Sequence, residues 1–118
     1  MFGDKVIRYV AQRIGLSIKG RDVAAPYGGG EFAVLLPETT LQGALALAEQ
    51  IRMSVARGKI HRVGTTEPIA GVTVSIGVAE SVPADTVEDL TGRADQALYQ
   101  SKEAARNRVT SAVAPKAP

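Results

Sequence analysis

Residues 27–32 of this chain are Tyr-Gly-Gly-Gly-Glu-Phe, in which three consecutive glycines separate the short apolar stretches 23–25 and 32–36. Glycine adopts the positive φ angles that tight turns between antiparallel strands require, so this pattern predicts a β-hairpin. Glycines also leave backbone N–H groups unobstructed, which lets a phosphate or a base approach closely. A plain hairpin turn and a ligand-binding turn both account for the spacing.

Three segments around this hairpin have apolar residues at helical spacing. The first spans residues 4–14, with Asp4 as a cap and Gly15 placed to end it. Thr39 or Thr40 caps the second, which Gly58 stops. The third follows a capping box formed by residues 85 and 88 and carries Lys102, Arg106 and Arg108 in its last turns.

Strict alternation of apolar and small residues over 72–79 predicts a strand. Residues 58–71 are predicted to form a loop or a weak hairpin, and a last strand is expected near Val109. The element order predicts an α+β fold in which helices cover a mostly antiparallel sheet. We expect one domain over residues 1–110 and a flexible tail over 111–118.

Composition excludes several functional classes. The 118 residues carry a net charge of +2, with no cysteine and one histidine, so metal chemistry would have to use carboxylates. Aromatic residues make up 4% of the chain, which with the small charge surplus argues against nucleic-acid binding. No apolar run approaches the roughly 20 residues of a membrane span, and no secretory signal pattern is present, so a cytoplasmic location is expected.

Lys102 and Arg106 are four residues apart, so on a continuous helix they lie on one face. Together they could clamp a polyphosphate, with the arginine supplying a planar fork and the lysine a point charge. The alternative is a pair of cations that stabilises the C-terminus of the helix.

Four motifs in order resemble the GGDEF domain, the diguanylate cyclase family that makes cyclic dimeric GMP (c-di-GMP) from two GTP molecules. They are Gly-Asp at residues 3–4, the glycine hairpin at 27–32, Val-Ser-Ile-Gly-Val-Ala at 74–79, and Ala-Asp-Gln-Ala-Leu-Tyr-Gln-Ser-Lys at 94–102, followed by Arg106 and Asn107. The resemblance covers residues 3–107 and implies the palm-like cyclase fold without its first strand.

The resemblance also implies a nucleotide site. Asp4 matches an aspartate that hydrogen-bonds the guanine edge, and the hairpin backbone matches the segment that lies against GTP. Lys102 and Arg106 match contacts to the terminal phosphates. The implied nucleotide-binding set is Asp4, Gly28, Gly29, Gly30, Glu31, Lys102 and Arg106.

Two departures from the family pattern concern catalysis. Glu31 matches the fourth letter of the signature and keeps its catalytic-site carboxylate, but Gly30 replaces the acidic third letter, which binds metal. The strand that carries another metal-binding aspartate has no counterpart after Met1. Because this phosphoryl transfer needs cations held by carboxylates, we expect the family's Mg²⁺ not to be retained, no metal ligand in this chain, and no significant turnover.

The family's product-inhibition motif, Arg-x-x-Asp, has a weakened counterpart here. Lys19 replaces the arginine, Arg21 lies one residue before the retained Asp22, and Gln50 replaces a second arginine on the next helix. A lysine cannot supply the flat guanidinium that both stacks on and forks to a guanine.

Three hypotheses follow. The chain is a degenerate cyclase domain of bacterial second-messenger signalling that binds c-di-GMP or GTP, a fragment of an active cyclase, or a dimerisation remnant that binds no nucleotide. Since the resemblance implies a missing central strand, neighbouring strand edges would be unpaired. We expect self-association as a homodimer, a partner domain, a compensating terminal segment, or a poorly stable monomer.

Overall fold

The computed structural model describes residues 2–58, 60–61, 68–69 and 71–113. In chain order the elements are α1 (Phe2–Ser17), β1 (Val23–Gly28), β2 (Glu31–Leu35), α2 (Leu41–Arg57), β3 (Ile60–His61), β4 (Pro68–Ile69), β5 (Ile76–Val78), α3 (Val87–Glu103) and β6 (Val109–Ser111). The predicted α+β class is confirmed. None of the helices in these ranges is long and apolar enough to cross a membrane.

The strands form separate pairs. β1 and β2 are antiparallel, with Val23 opposite Leu35 and Gly28 opposite Glu31, and β3 and β4 form a short antiparallel pair. β5 and β6 are parallel, with Ile76 opposite Val109. The predicted hairpin at 23–36 is therefore confirmed, as is the weak-hairpin alternative within 58–71.

The core lies where α1 packs on α2. Its buried members are Tyr9, Val10, Ile14, Ile51 and Val55, and apolar side chains from β1, β2 and the segment 72–76 pack against them. The Tyr9 hydroxyl donates a 2.7 Å hydrogen bond to the Val55 carbonyl, so α1 satisfies one of the last acceptors of α2. The hairpin thus depends on this helix pair for its position.

Two helix boundaries differ from prediction. Gly15 does not end α1, which continues to Ser17, because the exposed glycine needs no left-handed backbone there and the Ser17 hydroxyl donates to the Arg13 carbonyl. The capping box of α3 is formed by Thr86 and Asp89, not by residues 85 and 88.

Asp85 has another partner instead of the capping role. Its carboxylate accepts two hydrogen bonds from the Arg93 guanidinium, at 2.7 and 2.8 Å, and one from the Val82 backbone N–H. These contacts, with Arg93 the largest cause, lower the pKa of Asp85 to about 2. The carboxylate therefore joins the loop before α3 to the helix itself.

The second helix matches prediction at both ends. Thr40 caps α2 by accepting from the Gly43 N–H, and Gly58 is the C-terminal cap residue. The strand predicted over 72–79 is shorter, since only Ile76–Val78 has a bonded partner strand within the described ranges. The expected terminal strand is present, and Ser111, where the predicted tail begins, is its last residue. Residues 114–118 of that tail lie outside the described residues.

Helix α3 lies directly on the backbone of β5 at Gly77. A Cβ atom on Gly77 would overlap both the Ala94 carbonyl oxygen and the Leu98 nitrogen of α3. Beside it, the fully buried Ser101 hydroxyl donates to the Ile76 carbonyl at 2.9 Å and contacts the Thr110 hydroxyl at 2.6 Å. These contacts connect α3 to β5 and β6.

We expect Gly77→Ala to lower the free energy of unfolding by about 3 kcal/mol or more, because backbone atoms cannot move aside as a flexible side chain can. Gly92→Ala is the matched control. Gly92 lies within α3, and no atom lies within 4 Å of where a Cβ would stand on it, so alanine there should stabilise by about 0.5–1 kcal/mol. Urea denaturation of the two variants measures both effects, and equal midpoints would contradict the close approach.

Candidate functional site

The hairpin tip consists of three exposed glycines in left-handed or related conformations. Gly28, Gly29 and Gly30 have φ angles of 104°, 57° and 79°. The register of the two strands shifts between Pro26 and Gly28, so the tip also contains a bulge. The backbone conformation favours glycine here, and no atom lies within 4 Å of where a Cβ would stand on any of the three. The tip is open to a ligand.

Glu31 and Lys102 meet beside this tip. The Lys102 ammonium lies 3.3 Å from a Glu31 carboxylate oxygen, although the two residues are 71 positions apart in sequence. Each side chain is 38% exposed. The contact brings the end of α3 to the start of β2, so two residues of the predicted nucleotide site are adjacent.

Arg106 does not share a helical face with Lys102, and that prediction is wrong. Helix α3 ends at Glu103, and Ala105, Arg106 and Asn107 follow with φ angles of 77°, 62° and 46°. The reason lies in two contacts of the turn. The Arg106 N–H donates to the Ser101 carbonyl at 2.9 Å, and the Asn107 side chain accepts from Arg52 at 2.9 Å. Arg106 is exposed on this turn.

The remaining predicted nucleotide contact, Asp4, lies in the first turns of α1, two residues after Phe2 begins the helix. It is therefore within the helix and not its cap. Its side chain lies outside what the structure describes, so its role as a guanine contact stays a prediction.

The inhibitory-site remnant forms a tight turn after α1. The Asp22 carboxylate accepts the Lys19 N–H at 3.1 Å, and the Asp22 N–H donates to the Lys19 carbonyl at 3.0 Å. Arg21 forms an exposed ion pair with Glu38. Arg21 is thus directed to the segment after β2, and the structure does not bring its guanidinium to the Asp22 carboxylate.

A divalent cation has too few ligands at the hairpin tip. Across the described ranges, no three Asp, Glu or His side chains group as a metal site would require. Glu31 contributes one carboxylate, which Lys102 already contacts, and Gly30 contributes no side chain. Magnesium at phosphoryl-transfer sites is held by one or two carboxylates together with substrate phosphates. The one carboxylate of the described tip already contacts Lys102, so these residues do not fit the family's Mg²⁺.

Sequence inspection missed a groove between α1 and α2. It has a volume of about 520 Å³ and is lined by Arg13, Ala46, Glu49, Gln50, Met53, Ser54, Arg57 and Gly58. The Arg13 guanidinium lies 5.3 Å from the Tyr9 ring centroid. A Cβ on Gly58 would overlap the Tyr9 hydroxyl, so glycine is needed where α2 ends. Nothing in the spacing of these residues indicates the groove, because it is created by the packing of the two helices.

Comparison with known proteins gives a consistent result. The family described as "Diguanylate cyclase, GGDEF domain" matches residues 1–108. The diguanylate cyclase VdcA of Vibrio cholerae is 37% identical over 109 residues, which cover 92% of this chain and 32% of VdcA. The response regulator PleD of Caulobacter vibrioides is 41% identical over 113 residues, which cover 95% of this chain and 25% of PleD. The chain thus spans a quarter to a third of these relatives.

Solved structures agree with the sequence comparison. The GGDEF domain of DgcB from Caulobacter crescentus, in complex with c-di-GMP, matches with a TM-score of 0.89 and 41% identity. The match covers 94% of this chain and 63% of the DgcB chain.

The left-handed turn after α3 generates a stability prediction. Ala105 at φ 77° is strained, and Ala105→Gly should raise the free energy of unfolding by about 0.5–1 kcal/mol. Ala104, at φ −89°, is the matched control, since glycine there should lower stability by a similar amount. Urea denaturation distinguishes the two, and shifts of the same sign would contradict the turn conformation.

Proposed function

This chain belongs to the GGDEF domain family of diguanylate cyclases, and from that membership we propose that it binds a guanine nucleotide, c-di-GMP or GTP, without significant turnover. The observation that carries the proposal is the hairpin tip, where Gly30 has no side chain and Glu31 is already paired with Lys102. The proposed setting is second-messenger signalling in the bacterial cytoplasm, where such nucleotides are made.

The same tip supports binding. The exposed glycine backbone at residues 28–30 offers N–H groups with no side chain in the way. Lys102, at the end of α3, lies beside it and supplies a cation for a phosphate. Arg106, on the turn that follows, supplies a second cation near the same helix end. These groups hold and orient a phosphate, and they require no metal to do so.

Loss of turnover has a separate physical reason. Attack of a 3′-hydroxyl on an α-phosphate builds negative charge that the family neutralises with cations held by carboxylates. A single carboxylate in contact with an ammonium does not hold such a cation. The DgcB complex supports the choice of c-di-GMP as a ligand class, because that structure contains it.

The first test is product formation. We expect the chain, incubated with GTP and Mg²⁺, to give no c-di-GMP above a protein-free blank in nucleotide chromatography. An active GGDEF cyclase under the same conditions is the positive control. Product that disappears in Glu31→Gln would show that the chain is an active cyclase and would overturn the proposal.

The second test is the order of affinities. We expect Lys102→Ala and Arg106→Ala each to weaken nucleotide binding roughly tenfold to a hundredfold, since each removes a charge-assisted phosphate contact of about 1.5–3 kcal/mol. Lys19→Ala should have a smaller effect. Arg57→Ala is the charge control, because it removes the same charge from the end of α2. Titration calorimetry gives all the constants.

The opposite order of affinities would place the nucleotide at a different site. If Lys19→Ala abolishes binding while Lys102→Ala and Arg106→Ala leave it intact, the nucleotide occupies the Lys19–Asp22 turn and not the hairpin tip. If the parent chain gives no heat with either nucleotide, the chain is a non-binding remnant.

A further inference from the structure

The ion pair between Glu31 and Lys102 places two residues of the proposed nucleotide site in contact with each other. The ammonium and the carboxylate are 3.3 Å apart, and each side chain is 38% exposed. Lys102 is therefore neutralised before any ligand arrives. A phosphate that is to contact Lys102 must either displace the carboxylate or approach beside it.

The charges at the tip determine how strongly the Glu31 carboxylate and a phosphate compete for Lys102. Glu31 is the only acidic residue of the hairpin tip, at residues 27–32, and Gly30 beside it has no side chain. Because the tip has too few ligands for a divalent cation, Lys102 is the cation that the Glu31 carboxylate contacts in the described structure. Half-exposed pairs of this kind contribute little stability, so the contact can open without unfolding the domain.

We infer that the Glu31 carboxylate competes with the ligand's phosphate for the Lys102 ammonium, and that this competition makes the site select the cyclic dinucleotide over the triphosphate. This inference rests on the proposed nucleotide binding. Each phosphodiester of c-di-GMP carries a single negative charge, whereas the terminal phosphate of GTP adds a second ionisation to a tail that is already charged. GTP therefore gains more from a free Lys102 ammonium, and loses more when the Glu31 carboxylate occupies that ammonium.

The test compares Glu31→Gln with the parent by calorimetry in buffer containing EDTA, so that no divalent cation bridges the carboxylate and the phosphates. We expect the variant to bind GTP about tenfold more tightly and c-di-GMP about threefold more tightly. Glu88→Gln is the matched control. It makes the same charge change in the first turn of α3, about 20 Å along the helix from Lys102, and should leave both affinities unchanged.

A double-mutant cycle separates competition from a structural effect. In a Lys102→Met background, Glu31→Gln should lose most of its selective effect on GTP, because the carboxylate and the phosphate no longer share a cation. Thermal melts of the four proteins establish that each is folded, and the half-exposed pair should cost little when removed.

The results of this test separate failure of the competition from failure of the proposed nucleotide binding. If Glu31→Gln binds nucleotide with the same affinity as the parent or more weakly, the competition is overturned but the proposed nucleotide binding stands. Equal tightening for GTP and c-di-GMP overturns the selectivity. Absence of binding in the parent and in every variant overturns the proposed function itself, and this inference with it.

Discussion

The close approach of α3 to β5 at Gly77 determines where Lys102, at the end of α3, lies. Because no side chain separates the strand from the helix, the Ala94 and Leu98 backbone atoms rest against Gly77, and the buried Ser101 hydroxyl bonds to Ile76. Lys102 is the next residue after Ser101, so the anchored turn of the helix sets the position of the ammonium. The contact between Lys102 and Glu31 therefore depends on the packing of the neighbouring residue, Ser101.

The hairpin contributes to the site in a different way. Its tip is defined by backbone conformation, with three glycines at positive φ, and it is positioned by the strands whose inner side chains, Phe32 and Val34, pack on the α1–α2 core. The site is therefore assembled from a backbone surface on one unit and charged side chains on another. A substitution in the core that shifts either unit would alter the distance between Glu31 and Lys102 without touching them.

Local sequence patterns predicted some of the locally determined features, but not the end of α1 or the capping box of α3. The hairpin, the Thr40 cap and the Gly58 stop each depend on the conformational preferences of a few neighbouring residues, and all three were predictable. The end of α3 was not, and the left-handed turn after it includes the Arg52 contact to Asn107, which joins residues 55 positions apart and which no local pattern indicates. The Glu31 contact was hidden for the same reason. Charge and spacing show that a residue can form an ion pair, but only packing selects its partner.

The separation of the strands into pairs has a consequence for cooperativity. In the described part of the chain no ladder of backbone hydrogen bonds joins β1 and β2 to β5 and β6, and α2 contacts both β5 and β6. Within the described ranges, the hairpin and the β5–α3–β6 unit are then joined through side chains, by apolar packing and by the ion pair between Glu31 and Lys102. Local opening of one unit would break no ladder bond in the other, so amide exchange could separate the protein into two groups of protected sites, with the hairpin tip at the border between them.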